Sequence, residues 1–157
     1  MSSYKFKDSD DLKDAIGIYH EIYSKHSNKD IFEGYKVADN YILEKYGNPE
    51  KWDTSNVTDM SNLFYEIYEP IDFSTYDISN WDTSNVTNMS SMFKEGVIHY
   101  DISKWNVDKV EDMSYMFFDC EFSLESPINL SKWNIKNKKN TKNMFMKSNY
   151  LDFVKFS

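Results

Sequence analysis

The sequence predicts an α/β solenoid of about four Trp-led repeats with an N-terminal helical cap. Three observations carry that expectation. A thirteen-residue block recurs four times, the fifty residues before it follow helical periodicity instead, and the last block loses apolar positions that the others keep.

The cap comes first along the chain. From Leu12, apolar residues recur at Ala15, Ile16, Tyr19, Ile22 and Tyr23, the spacing of one face of an amphipathic helix, with Asp8, Ser9 or Asp10 placed to cap it. A second helix fits Ile31 to Tyr46, with Phe32, Tyr35, Ala38, Ile42 and Leu43 apolar, Gly47 at the C-cap position and Pro49 beyond. Tyr4 and Phe6 alternate with Lys5 and Lys7, as in a short strand joining a sheet. Residues 1–50 are thus expected as a helical cap over the open end of a solenoid spanning 51–157.

The block reads WDTSNVTDMSNLF from Trp52, WDTSNVTNMSSMF from Trp81, WNVDKVEDMSYMF from Trp105 and WNIKNKKNTKNMF from Trp133, at spacings of 29, 24 and 28 residues. A fixed period of this length is the signature of repeat architectures. The apolar positions keep their places: Trp opens each copy, Val follows at Val57, Val86 and Val110, Met at Met60, Met89 and Met113, and Phe closes it at Phe64, Phe93, Phe117 and Phe145. One copy alone buries too little to offset the entropy of ordering it, so these fourteen residues are expected to form a scaffold ladder in which each copy covers the next. The Val-x-x-Met stretch reads as a short strand and Ser-x-Met-Phe as a helical turn, so parallel strands of successive coils should make one sheet face. In the fourth copy Lys138 and Thr141 stand where the others carry Val and Met. A polar outer face of this kind closes a repeat array, so a C-terminal cap is expected from about residue 132, with Tyr150, Leu151, Phe153 and Phe156 folding back over the core.

The 157 residues suit one domain, or a small domain plus a cap, with 40% hydrophobic and 17% aromatic residues to build its core. The charge of −8 conceals a polarity: residues up to Ser131 carry 25 acids against 11 lysines, whereas from Lys132 onward 7 lysines face only Asp152. All basic residues are Lys, and Asn, Lys, Tyr, Phe and Ile abound, the bias an AT-rich genome writes. Without arginine the chain lacks the guanidinium forks that read bases and grip phosphates. The N-terminus MSSYKFKDSDDLKD is charged where a secretory signal would be apolar, and no apolar run approaches the roughly 18 residues of a membrane span. A soluble cytoplasmic or virion protein is the expectation.

The pattern W-[DN]-x-[SD]-x-V-x-x-M-S-x-[ML]-F, led in by ISNW and ISKW and followed by MFFDC at Met116 to Cys120, resembles the BspA-like leucine-rich-repeat proteins, the mycoplasma-type surface-protein repeat of unknown function. The resemblance covers about Ile42 to Phe145. It implies a leucine-rich-repeat-like solenoid with a binding or structural role and no known enzymatic activity. Bacterial members usually carry a signal and an anchor. A short, AT-biased chain without them looks more like the members found in large DNA viruses or their protist hosts.

Chemistry-bearing residues are sparse. Asp53 to Asn56 and Asp82 to Asn85 could offer oxygens to calcium, or serve as turn residues bonding their own backbone; the third copy, with Lys109 in that register, favours turns. His20, His26 and His99 show no metal or triad arrangement, four glycines make no phosphate loop, and Cys120 stands alone, which excludes an internal disulfide. No catalytic residue, cofactor or metal ligand is assigned. Asn56, Asn85, Asn88 and Asn129 begin N-x-S/T sequons that matter only on export. Lysines 132, 136, 138, 139, 142 and 147 are the one polyanion candidate, and without arginine their attraction would be mainly salt-sensitive.

The expected function is therefore non-catalytic: a structural or protein–protein interaction protein, as in a virion or at a host contact, docking through an exposed strand face and the inserts Glu66 to Tyr76 and Glu121 to Pro127. Tyr65, Tyr68, Phe73 and Tyr76 are the expected anchors, with Lys136, Lys138, Lys139 and Lys142 facing an acidic protein or another copy of the chain. A calcium or small-ligand module and a polyanion binder are the rival expectations.

Overall fold

The computed structural model describes residues 3–27, 31–65, 76–123, 128–133, 135, 139–150 and 154–155, side chains at 26–27 and 31–33 excepted. Tyr68, Phe73, Lys136 and Lys138 lie outside the described residues, as do most of both inserts, Leu151, Phe153, Phe156 and the side chains of His26 and Phe32. The regular elements are α1 (Ser9–Ser27), α2 (Ile31–Tyr46), β1 (Val97–Ile98), β2 (Glu121–Phe122), β3 (Ile128–Asn129) and β4 (Val154–Lys155), with 3₁₀ turns at Pro49–Lys51 and Ser131–Trp133.

The two helices form where periodicity places them. Asp8 caps α1, its Oδ1 accepting the Asp11 N–H at 3.0 Å, and Asp10 and Asp11 face the positive end of the helix. Past the end of α2, Gly47 takes φ +71°, a left-handed stop with no Cβ to clash, and its N–H returns to the Leu43 carbonyl at 3.2 Å. Leu12, Ala15, Ile16 and Tyr19 of α1 share one core with Ala38, Ile42 and Tyr46 of α2 and with Phe6. The expected strand at Tyr4 to Lys7 reduces to a single parallel bridge, Lys5 with Asp53, flanked by Phe6 N–H to Asp53 O and Asp53 N–H to Tyr4 O.

The expected α/β solenoid is overturned. Among the described residues two separate parallel sheets of two strands each stand beside the helices, β1 with β2 and β3 with β4, two residues per strand, which makes a small mixed domain without solenoid closure. Among the described residues the leucine-rich-repeat-like sheet face implied by the resemblance is absent as well. The Val-x-x-Met segments are not strands: one residue of each, Asp59, Asn88, Asp112 and Asn140, makes an isolated parallel bridge. Two local causes stop a regular strand from forming there. The bridge residue's own side-chain oxygen accepts the N–H two residues on, at Ser61, Ser90, Ser114 and Lys142, which bends the chain. The chain then passes through left-handed backbone at Asn62, Ser91, Tyr115 and Asn143, all with φ between 54° and 57°, a conformation that ends any extended run.

The block residues nevertheless meet from copy to copy. Beyond each bridge, alternate N–H groups donate to the following block: Met60, Asn62 and Phe64 to Asn88, Ser90 and Met92, then Met89, Ser91, Phe93 and Glu95 to Asp112, Ser114, Met116 and Phe118. Met113, Tyr115, Phe117 and Asp119 donate to Asn140, Lys142, Met144 and Met146 in turn. The closing phenylalanines make a column, Phe64 to Phe93 at 5.3 Å, Phe93 to Phe117 at 5.8 Å and Phe117 to Phe145 at 5.2 Å, with ring planes within 20°. Trp52 lies on Trp81 at 5.9 Å, while Trp105 meets Phe93 and Trp133 meets Phe117. Val57, Val86, Val110, Met60, Met89 and Met113 are buried beside them. Three indoles donate to carbonyls, Trp52 to Tyr46, Trp81 to Pro49 and Trp105 to Ile78, whereas the buried Trp133 Nε1 has no partner.

Candidate functional site

The polar residues singled out as possible ligands are occupied by the fold. Asp53 and Asp82 accept the N–H of Ser55 and Ser84 at 3.0 and 2.9 Å, closing Asx turns. Hydrogen bonds from the same serines hold both carboxyls below their ordinary range, and Asp53 is paired with Lys5 at 3.1 Å. Asn56 Nδ2 donates to the Phe6 carbonyl, Asn85 Nδ2 to that of Ser55, and Asn85 Oδ1 accepts from Lys109 Nζ at 2.6 Å. Thr54 and Thr83, buried, donate to the carbonyls of Asp82 and Asn106 in the next block. At the third copy Val107 replaces that threonine and lines a cleft of about 570 Å³ with Asn106, Asp108, Asn129 and Ser131. Among the described residues no group of three His, Cys, Asp or Glu side chains is placed to hold a metal.

The titratable side chains show packing rather than convergence. His20 Nε2 is buried and unpartnered, and burial pushes the imidazole below its ordinary value. His99 is exposed. Cys120 is buried with its Sγ 3.7 Å from the Glu121 carbonyl, and burial, reinforced by the Glu121 charge, pushes the thiol upward. A thiol held protonated is a weak nucleophile.

Of the eight expected partner residues, Tyr65, Tyr76, Lys139 and Lys142 fall among the described residues. Tyr65 is exposed, at 37%. Tyr76 is half-buried, donating its hydroxyl to Asp39 Oδ1 at 3.0 Å, and burial, then the Asp39 charge, pushes its phenol upward. Lys139 pairs with Glu111 at 2.6 Å, and Lys142 is exposed.

The structure assembles a row of which sequence reasoning named only Tyr65. The residue after the closing Phe of each block is Tyr65, Lys94, Phe118 and Met146. Lys94 Nζ sits 4.6 Å over the Tyr65 ring and 5.9 Å from the Phe118 ring, and Lys147 covers Phe118 at 5.2 Å. Glu95 flanks the row and pairs with Lys94 at 3.1 Å. Hydrogen bonds from Glu95 N–H to Phe118 O and from Asp119 N–H to Met146 O fix the last three members side by side. Met146 is 51% exposed. Aligning the blocks and reading the next position would have exposed this signal, since its members lie 24 to 29 residues apart along the chain.

No helix among the described residues is long and apolar enough to cross a membrane. A family model described as a Mycoplasma protein of unknown function, DUF285, matches residues 26–153, most of the chain. No curated protein and no solved structure matches.

Proposed function

Since this chain belongs to that family of Mycoplasma proteins of unknown function, the BspA-like family its blocks resemble, we propose that it is a non-catalytic protein-interaction protein that docks its partner through the Tyr65–Lys94–Phe118–Met146 row. The supporting observation is the division of labour within the block. Trp, Val, Met and Phe are spent on the core, Asp, Asn and Thr on turns and cross-block bonds, and the position that differs in every copy holds the exposed Tyr65 and Met146 and the half-buried Lys94 and Phe118. Aromatic rings and a methionine bury large area at low entropic cost, which suits an interface anchor. The all-Lys, Asn-rich composition supports a source in a large DNA virus or its protist host, with the chain as a virion or host-contact component.

The test is cross-linking in source extract with the wild-type chain and with Tyr65→Ser/Phe118→Ser, both checked for wild-type circular dichroism. A single protein captured by the wild type and lost by the folded variant supports the reading. Equal capture by both refutes the row as the contact surface.

A further inference from the structure

Resting on that interaction reading, we propose that the outer backbone edge of the fourth block is a second docking site, one that takes an acidic, extended segment of a partner protein. The edge is defined by comparison with its predecessors. In the first three blocks the N–H groups at alternate positions beyond the bridge each donate to a peptide carbonyl of the block that follows. The corresponding groups of the fourth block are those of Thr141, Asn143, Phe145 and Lys147. The carbonyls of Asn140, Lys142, Met144 and Met146 are taken by the third block. Among the described residues the N–H groups of Thr141, Asn143 and Lys147 have no acceptor.

Along residues 140–147 only the Lys147 carbonyl takes no backbone N–H, and an edge whose open donors outnumber its open carbonyls selects acceptor-rich partners. Peptide carbonyls along an extended chain recur at the same two-residue period as these donors, which is how strand addition to an open edge gains affinity. Side-chain charge points the same way. Lys142 and Lys147 flank the donors, and the chain from Lys132 onward carries 7 lysines against one acid, so carboxylates on the incoming segment are attracted and lysines repelled. The donor residues Thr141, Asn143 and Lys147 themselves line a concavity of about 490 Å³ whose apolar side is Ile135, Phe145 and Tyr150, roomy enough for one aromatic or branched side chain. A second copy of this chain is the poorer occupant. Its first block is engaged by α1, through Ser9 to Thr58 and Asp59 and through Lys13 to Asp59 and Ser61. Nucleic acid supplies acceptors too, but no isolated apolar side chain for the concavity.

The probe is a capped peptide alternating Glu and Val about one central Phe, titrated into the ¹⁵N-labelled full chain. Saturable shifts and slowed hydrogen exchange at the Thr141, Asn143 and Lys147 amides, with Kd below about 1 mM, are expected. Lys142→Glu should weaken binding about tenfold, as should replacing the peptide's Glu with Ser. The proposal is overturned if the three amides do not move, if the Ser peptide binds equally, if a single-stranded oligonucleotide displaces the peptide, or if raising protein concentration alone shifts the same amides. Tyr65→Ser/Phe118→Ser should leave peptide binding unchanged. Loss of partner capture in that variant with silent amides retains the row and removes the edge; the reverse outcome removes the row and retains the edge.

Discussion

Truncating Phe117 to alanine removes a wholly buried ring from between Phe93 and Phe145, at 5.8 and 5.2 Å, which also meets Phe122 at 5.3 Å and Trp133 at 6.4 Å. A buried Phe→Ala change costs ~3–5 kcal/mol. Each aromatic pair adds about 0.5–1.5 kcal/mol beyond its buried area, so four ring neighbours place this site at the upper end. The next residue supplies the control. Phe118 is half-buried, its ring under Lys94 and Lys147, and Phe118→Ala should cost roughly 1 kcal/mol. In urea unfolding followed by tryptophan fluorescence, with m of about 2 kcal/mol/M, the midpoint should fall about 2 M for Phe117→Ala and about 0.5 M for Phe118→Ala. Equal losses, or a Phe117→Ala midpoint at the wild-type value, would refute the ring column as the source of stability.

Acid should act in two windows. Burial lowers the folded-state value of His20 beneath 6.5, so its neutral form contributes stability above that pH, and the contribution is lost as pH falls from 6.5 to the folded value. His20→Leu should flatten the midpoint-versus-pH curve there. Asp53 and Asp82, depressed below 3.8, stabilise above 3.8 and lose that contribution as pH falls through their folded values, so Asp82→Asn should change the curve only in that lower range. At Ser91, φ 54°, substitution by Gly should leave the midpoint near wild type, while Ser91→Val should cost about 1–2 kcal/mol because a branched Cβ resists left-handed backbone; equal effects would contradict the backbone assignment. Trp105→Phe loses the indole bond to the Ile78 carbonyl, whereas Trp133→Phe loses none, so calorimetry should find the first costlier by ~1 kcal/mol.

The helices were legible because a 3.6-residue apolar period needs no partner to be recognised, and α2 runs over the same Ile31 to Tyr46 that its stripe marks. The start of α1 was ambiguous, since Asp8, Ser9 and Asp10 all make good caps and only geometry selects Asp8. The strands failed for a reason visible only in retrospect. Val57 and Met60 have the β-branched, apolar character of a strand, but Asp59 between them closes an Asx turn onto Ser61, and Asn88 and Asp112 do the same in their blocks. Left-handed backbone at Ser91 and Tyr115 carries no glycine to announce it. Hydrophobic pattern marked most buried positions, Leu43 of the α2 stripe being exposed, and local side-chain hydrogen bonds set the backbone path.

The fourth block shows the same split between what side chains and backbone record. Replacing Val and Met by Lys138 and Thr141 reads as an ending, because an apolar neighbour would find nothing to bury there. An ending in side chains is not an ending in hydrogen bonds, however, since every residue but proline keeps its N–H whatever it carries. Thr141, Asn143 and Lys147 retain the donors that Met113, Tyr115 and Asp119 use one block earlier. Asn143 and Lys147 are exposed and Thr141 half-buried, so the edge is tolerable in the free protein without being inert. Sequence wear thus removes one kind of neighbour, a further apolar block, and leaves the molecule able to accept another that brings carbonyls and negative charge.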